Sequence, residues 1–195
     1  MTALFVILSE RSESKDLLTE KRRKNMDEYV KLATDTIHEY VKNRRVFEPD
    51  KTALPAEMTS TRSGAFVSIH KNGSLRGCIG TFLPIQDDLA NEIIGNAISA
   101  ATRDPRFMPI TADELPDLEI NVDVLTTPED ISSEEELDVK KYGVIVENGG
   151  RRGLLLPDLE GVDTVEYQVS IAKQKAGIGP NEPVHLQRFE VVRHK

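Results

Sequence analysis

The sequence contains one cysteine, no tryptophan and only 5% aromatic residues. A single cysteine excludes an intrachain disulfide framework, and no Cys/His cluster has the spacing of a structural zinc site, so we predict no metal. The longest apolar run near the N-terminus, residues 3–8, is too short to span a bilayer and has no basic segment before it. These absences predict a reduced, cytoplasmic protein without a membrane segment.

Several nucleotide-binding and catalytic motifs are also missing. The sequence has no GxGxxG, no Walker lysine loop, no HExxH and no GxSxG, so it predicts no cofactor. The net charge of −8 argues against nucleic-acid binding, because contacts to phosphates need a basic surface.

Residues 1–25 differ from the rest of the chain, because charge and serine dominate them without a helical or strand period. Their six basic and four acidic side chains give +2, which leaves −10 for residues 26–195. We interpret residues 1–25 as a disordered tail or an upstream extension, with Met26 as the natural start and one domain over residues 26–195. The alternative is a basic arm that binds an acidic partner.

Hydrophobic periodicity predicts an ordered series of helices and strands. Asp27 can cap a first helix, and Pro84 precedes a second helix over residues 89–101. The Asn72-Gly73 pair between two strand-like segments is the strongest short-range signal of a β-hairpin. Downstream we predict a strand over residues 118–126, a second hairpin over residues 142–156, a helix over residues 164–176 and a last strand over residues 184–192 with a bulge or break near Arg188. Hairpins without regular β-α-β alternation predict an α+β fold, a mainly antiparallel sheet flanked by helices.

The segment LRGCIGTF, residues 75–82, resembles the LRGCIG signature of the AMMECR1 family. RDPRF, LEINVDVLT, YGVIV, GLLLP and KQKAGI follow it in the family's order, and the resemblance covers residues 26–195. It implies a larger lobe around an antiparallel sheet and a smaller second lobe, with the signature lining a cleft. It also implies joint action with a Memo-like protein and a radical SAM enzyme. It implies no particular reaction, so whether the chain is an enzyme stays open.

Cys78 is the candidate catalytic residue of the signature. A cation such as Arg76 favours a thiolate, and the glycines beside the cysteine leave room for a substrate. The alternative is a buried cysteine that only packs. Strand alternation places Arg76, Cys78 and Gly80 on one face.

His70 is the nearest possible base for Cys78. A two-residue turn pairs His70 with Leu75 and Val67 with Cys78, which puts the imidazole and the thiol on opposite faces. Only a three-residue loop with a bulge would shift the register by one residue and bring them to the same face.

A small anionic molecule is the predicted ligand. Arg76, Arg103 and Arg106 can clamp a carboxylate or phosphate if the second helix brings the RDPRF loop to the signature. Gly77 and Gly80 can expose backbone N–H groups to that ligand, or they can be bulge or close-packing positions in the strand.

Glu119 is a second, weaker catalytic candidate. Glu119 and Asn121 lie on the polar face of the strand over residues 118–126, where either can face water, partner Arg76 or, in the case of Glu119, act as a general base. His185 is another candidate base, and His38 is expected on a helix surface. A non-enzymatic adaptor and a nucleic-acid-linked regulator are the alternative functions.

Overall fold

The computed structural model of the protein describes residues 26–195, and the predicted tail lies outside these residues. Within the described part of the chain, two four-stranded antiparallel sheets and four α-helices form an α+β fold, as the sequence predicts. The helices are α1 (Glu28–Asn43), α2 (Ala56–Ser60), α3 (Leu89–Thr102) and α4 (Val165–Lys175). The strands are β1 (Ala65–Lys71), β2 (Ser74–Thr81), β3 (Leu118–Leu125), β4 (Glu129–Ile131), β5 (Gly143–Asn148), β6 (Arg151–Leu155), β7 (His185–Phe189) and β8 (Val191–His194).

The first sheet, in the order β2-β1-β3-β8, and helices α1 to α3 make the larger lobe. Asp27 caps α1 as predicted, since its carboxylate accepts a hydrogen bond of 2.9 Å from the backbone N–H of Tyr29. Val67, Ile69 and Val122 belong to the main hydrophobic core and are fully buried. Alternation along β1 therefore directs residues 65, 67 and 69 to the core, and residues 66, 68 and 70 to the outer face of the sheet.

The Asn72-Gly73 turn between β1 and β2 is present as predicted. Both residues have positive φ, 52° and 76°, which suits a two-residue turn between right-twisted strands. The turn sets Lys71 opposite Ser74.

Arg76 is an extra residue in β2. It lies between the pairs Leu75–His70 and Gly77–Ile69, so two residues of β2 oppose one position of β1. Such a β-bulge shifts the register of every later pair by one residue.

The bulge corrects one prediction about the cysteine. Cys78 lies opposite Ser68 and not opposite Val67, so the predicted register was wrong beyond the first pairs. Since Ser68 and His70 share the outer face of β1, the thiol and the imidazole lie on the same face and not on opposite faces.

The second sheet, in the order β4-β7-β5-β6, and helix α4 make the smaller lobe. Val144, Val146 and Ala172 are fully buried between the sheet and the helix. The acidic segment before β5 contains β4 and a single 3-10 turn, Glu134–Glu136.

The predicted last strand is divided between the two sheets. β7 ends at Phe189 in the second sheet and β8 begins at Val191 in the first, so the break falls at Glu190, two residues beyond the predicted position. The other crossing between lobes joins β3 to β4. These crossings bond to each other, because the N–H of Thr126 donates to the carbonyl of Glu190 (2.9 Å) and the N–H of Glu190 donates to Oγ1 of Thr126 (2.8 Å).

An apolar cluster joins the outer faces of the two sheets. Its buried members are Leu125, Ile145 and Phe189, and Phe66 and Phe82 of the larger lobe pack against them. Among residues 26–195, no helix has the length and apolar character needed to cross a bilayer.

Candidate functional site

Five side chains form what we call the polar outer face of the first sheet. Cys78, Ser68 and Asn121 lie opposite one another on β2, β1 and β3, and His70 lies opposite Glu119 in the next row. All except the exposed Glu119 are half-buried. The fold therefore gathers a thiol, a hydroxyl, an amide, an imidazole and a carboxylate on one surface.

The Cys78 thiol lies against the Ser68 hydroxyl, with 3.3 Å between Sγ and Oγ. The backbone N–H and C=O of Cys78 bond away from β1, so Cys78 and Ser68 form a non-hydrogen-bonded pair. In antiparallel sheets these pairs have the closest side chains. Sequence analysis missed Ser68 because it placed Cys78 opposite Val67.

The RDPRF loop after α3 is hydrogen-bonded to Cys78 on the free edge of β2. Oδ2 of Asp104 accepts from the N–H of Cys78 at 2.9 Å, and Nη2 of Arg106 donates to the carbonyl of Cys78 at 3.3 Å. Packing of α3 on the hairpin thus brings the loop to the signature, which is the condition we set for an arginine clamp. The loop also covers an edge strand that would otherwise present unpaired backbone groups.

Asp104 and Arg106 form a tight ion pair beside the cysteine. Nε and Nη2 of Arg106 donate to the two carboxylate oxygens at 2.9 and 2.7 Å. The hydrogen bond from Arg106, followed by that from the Cys78 N–H, holds the pKa of Asp104 well below its usual range. The Asp104 side chain is only 2% exposed, whereas that of Arg106 is 55% exposed and Arg103 is also at the surface.

Arg76 is bound by Glu114 and not by Glu119 or Asn121. Nε and Nη2 of Arg76 each donate to a different oxygen of Glu114 at 3.0 Å, and Nη1 donates to the carbonyl of Met108 at 2.8 Å. This pairing lowers the pKa of Glu114 from its ordinary 4.5 to about 2, with the Arg76 hydrogen bonds as the main cause. Sequence patterns could not reveal Glu114, which follows an irregular loop.

Gly77 and Gly80 both lie where another group leaves no space for a side chain. A Cβ on Gly77 would overlap the backbone carbonyl of Ala100 in α3. A Cβ on Gly80 would overlap the Phe66 ring and lie 2.6 Å from the carbonyl oxygen of Ala65. The packing interpretation therefore applies to both glycines, and their contact with a ligand stays a prediction.

The other candidate bases lie in different places. His185 is on the second sheet, with Nε2 at 3.3 Å from Oδ1 of Asp130. His38 is on α1, and only His70 shares the polar outer face with Cys78. Within residues 26–195, no group of three or more His, Cys, Asp or Glu side chains is arranged to hold a metal ion.

A protein-family model named AMMECR1 matches residues 30–194. The chain belongs to the AMMECR1 family. A Thermotoga maritima protein is 56% identical over 169 residues, which cover 86% of this chain and 97% of that protein. A Clostridium acetobutylicum protein, CA_C1420, is 48% identical over 90% of this chain. The matched region is only 37% of the length of the Clostridium acetobutylicum protein.

A solved structure shares the AMMECR1 fold of this chain. The crystal structure of the uncharacterized protein PH0010 from Pyrococcus horikoshii aligns with a TM-score of 0.75 and 34% identity. The alignment covers 85% of this chain and 88% of that one. In the AMMECR1 signature of this chain, Gly77 serves helix packing, Arg76 binds a neighbouring loop, and Cys78 contributes the thiol of the polar outer face.

Proposed function

We propose that this AMMECR1-family chain binds a small anionic molecule beside Cys78 and acts on it together with a Memo-like protein and a radical SAM enzyme. The observation that carries this proposal is the attachment of the RDPRF loop to both backbone groups of Cys78. That attachment holds the largely exposed guanidinium of Arg106 next to a half-buried thiol.

Local charge supports an anionic ligand. Arg103, Asp104 and Arg106 together carry +1, in a chain whose net charge is −8. Asp104 occupies one edge of the Arg106 guanidinium. The exposed part of that guanidinium and the side chain of Arg103 can bind an oxyanion. Arg76 contributes less, because its charge already has Glu114 as a partner.

A reaction of the bound anion would use the side chains of the polar outer face. An anion beside Arg106 would lie near the Cys78 thiol as a nucleophile, with His70 and Glu119 as the groups able to accept a proton.

A role in a larger assembly is supported by the relatives. Most of the Clostridium acetobutylicum protein lies outside its match to this chain, so there the domain is covalently joined to additional sequence. Covalent attachment gives a high effective concentration of the joined part. The separate partners proposed here would supply the remaining chemistry in trans.

Thiol chemistry can test the anion site without a known ligand, because Cys78 is the single cysteine of the chain. Anionic iodoacetate and neutral iodoacetamide both alkylate thiols. We expect the ratio of the iodoacetate rate to the iodoacetamide rate to be higher for Cys78 than for glutathione. The ratio of the two rates should fall about threefold or more in Arg103→Gln and Arg106→Lys, because each change weakens local anion attraction or its fork geometry. Peptide mass spectrometry measures both rates.

Arg45→Gln is the matched control for this experiment. Arg45 follows α1, and its side chain is 81% exposed, so the variant removes the same charge elsewhere on the surface. An unchanged ratio in all three variants, or a thiol that neither reagent reaches, would contradict the proposed anion site.

A non-enzymatic adaptor is the second candidate function, and the exposed Met108 favours it. The residue is 81% exposed, although its carbonyl is fixed by Arg76. We expect Met108→Ser to weaken binding to a purified Memo-like protein about tenfold by calorimetry, since an exposed apolar contact is lost. Equal weakening by Cys78→Ala, or no weakening by Met108→Ser, would count against the adaptor function.

A further inference from the structure

Arg152 on β6 is an arginine whose charge lacks a hydrogen-bonded carboxylate. Its Nη2 donates to Oε1 of Gln187 at 2.6 Å, so the hydrogen-bond partner of the guanidinium is a neutral amide. Oε2 of Glu147 stays 3.8 Å from Nε, beyond hydrogen-bond distance, and Nε is buried without a partner. The side chain as a whole is 26% exposed, so a solute can reach part of it.

The arginines next to the cysteine differ from Arg152. Arg76 donates twice to Glu114, and Arg106 donates twice to Asp104. A guanidinium with its charge already paired offers less to an incoming anion than one that is bonded only to an amide. By this criterion the charge of Arg152 is less fully paired than theirs, because its carboxylate neighbour, Glu147, forms only a long ion pair of 3.8 Å.

Arg152 also touches the signature segment from the other lobe. Its guanidinium carbon lies 6.0 Å from the centroid of Phe82, which is the last residue of LRGCIGTF. Gln187 is fixed in turn, because its amide nitrogen donates to Asp130 at 2.8 Å. The guanidinium is therefore positioned by an aromatic ring and an oriented amide before any ligand binds.

The distance along β2 defines the size of a ligand that uses both sites. Phe82 lies four positions beyond Cys78, which is about 13 Å of extended chain. The ring of Phe66 lies between them, over Gly80. A molecule that reaches from Cys78 to Arg152 therefore has an apolar middle and an oxyanion at its far end.

We propose that Arg152 binds the carboxylate or phosphate of an elongated ligand whose other end lies beside Cys78. This inference rests on the proposed function, because it names the ligand shape and a second anchoring residue for the same site. Arg152 determines specificity for the far end of the ligand and takes no part in the chemistry at the thiol.

The oxyanion site can be tested with simple probes on the full chain. Inorganic phosphate and acetate are titrated while the backbone N–H signals of Phe82, Gln187 and Cys78 are followed by NMR. We expect saturable shifts at Phe82 and Gln187, and an apparent Kd at least about tenfold weaker in Arg152→Gln. Arg152→Lys should be intermediate, because lysine keeps the charge but loses the fork. The probe with the lower Kd identifies phosphate or carboxylate as the preferred group.

Arg151→Gln is the matched control, because Arg151 binds Glu182 and the carbonyl of Gly177. It should leave both titrations unchanged, and thermal unfolding checks that every variant is folded. Equal Kd values in wild type and Arg152→Gln would overturn the inference. If the Cys78 signal still responds to the probes in that case, the proposed anion site beside Cys78 survives. If none of the three signals responds to either probe, the inference about Arg152 and the anion site beside Cys78 both fail.

A second measurement tests the connection between the two ends. Dithiobis(nitrobenzoate), an aromatic disulfide that carries carboxylates, is compared with uncharged dithiodipyridine for its rate of reaction with Cys78. We expect Arg152→Gln to slow the anionic reagent about fivefold or more and to leave the neutral one unchanged. Equal slowing of both reagents, or of neither, would show that Arg152 does not serve a ligand that reaches Cys78.

Discussion

Gly77→Ala is expected to lower the free energy of unfolding by about 3 kcal/mol, because a Cβ at this position overlaps a rigid group. The obstacle is the backbone carbonyl of Ala100, which belongs to α3 and cannot rotate away as a side chain would. Relief requires α3 to move off the sheet, which opens the core around Ile93 and Ala97. Chemical denaturation followed by far-UV circular dichroism measures the loss.

Gly95→Ala is the matched control in the same helix. A Cβ there meets only Nε2 of Gln86 at 3.9 Å, an ordinary contact. Alanine is the better helix former, so we expect Gly95→Ala to stabilise the protein by about 0.5–1 kcal/mol. A loss below about 1 kcal/mol in Gly77→Ala would mean that α3 does not pack closely on β2.

Glu114→Gln is expected to cost about 2 kcal/mol at neutral pH, because it leaves the mostly buried guanidinium of Arg76 without a charged partner. The two side chains are only 13% and 18% exposed, so water cannot replace the lost carboxylate well. The loop that carries Met108 should loosen as well, since Arg76 also binds its carbonyl. Denaturant unfolding measures the cost, and amide hydrogen exchange at Met108, Ile110 and Thr111 measures the loosening.

The same pair predicts a pH dependence. The pKa of Glu114 is about 2 in the folded protein and 4.5 ordinarily, so its carboxylate stabilises the fold above pH 4.5. That contribution is lost as the pH falls from 4.5 towards 2, where the carboxyl group becomes protonated. The stability difference between wild type and Glu114→Gln should therefore shrink across this window.

Glu182→Gln is the control for burial. Arg151 also lowers the pKa of Glu182 to about 2, but both side chains are 41% exposed. Solvent screens such a pair, so its removal should change stability much less than removal of Glu114. Equal losses in the two variants would show that burial of the Arg76 pair adds nothing.

Sequence patterns were sufficient to predict most elements of this fold, but not α2, β4 or the division of the last strand into β7 and β8 of different sheets. Local signals specify the predicted elements: Asp27 caps α1, Asn72-Gly73 closes the first hairpin, and alternation marks β3. The family resemblance was equally accessible, because LRGCIG is a contiguous motif. The predictions succeeded where the information lies within a few residues of the chain.

The site was less predictable because a single inserted residue determines its arrangement. Gly77 and Gly80 are possible bulge positions, but the sequence does not locate an extra residue at Arg76. That bulge moves Cys78 opposite Ser68 and to the face of His70. The partners Glu114 and Asp104 come from a loop that packing alone positions. A bulge and a loop contact depend on tertiary structure, which sequence periodicity does not encode.

The bonded crossings at Thr126 and Glu190 have a consequence for motion. Only one residue separates β7 from β8, and its N–H and C=O both bond to Thr126 in the other connection. A hinge needs backbone that can change its torsion angles freely, and neither connection has that freedom without losing these bonds. We therefore expect ligands to enter and leave by side-chain movement around Arg152 and Phe82, on a nanosecond scale, while the angle between the lobes stays constant.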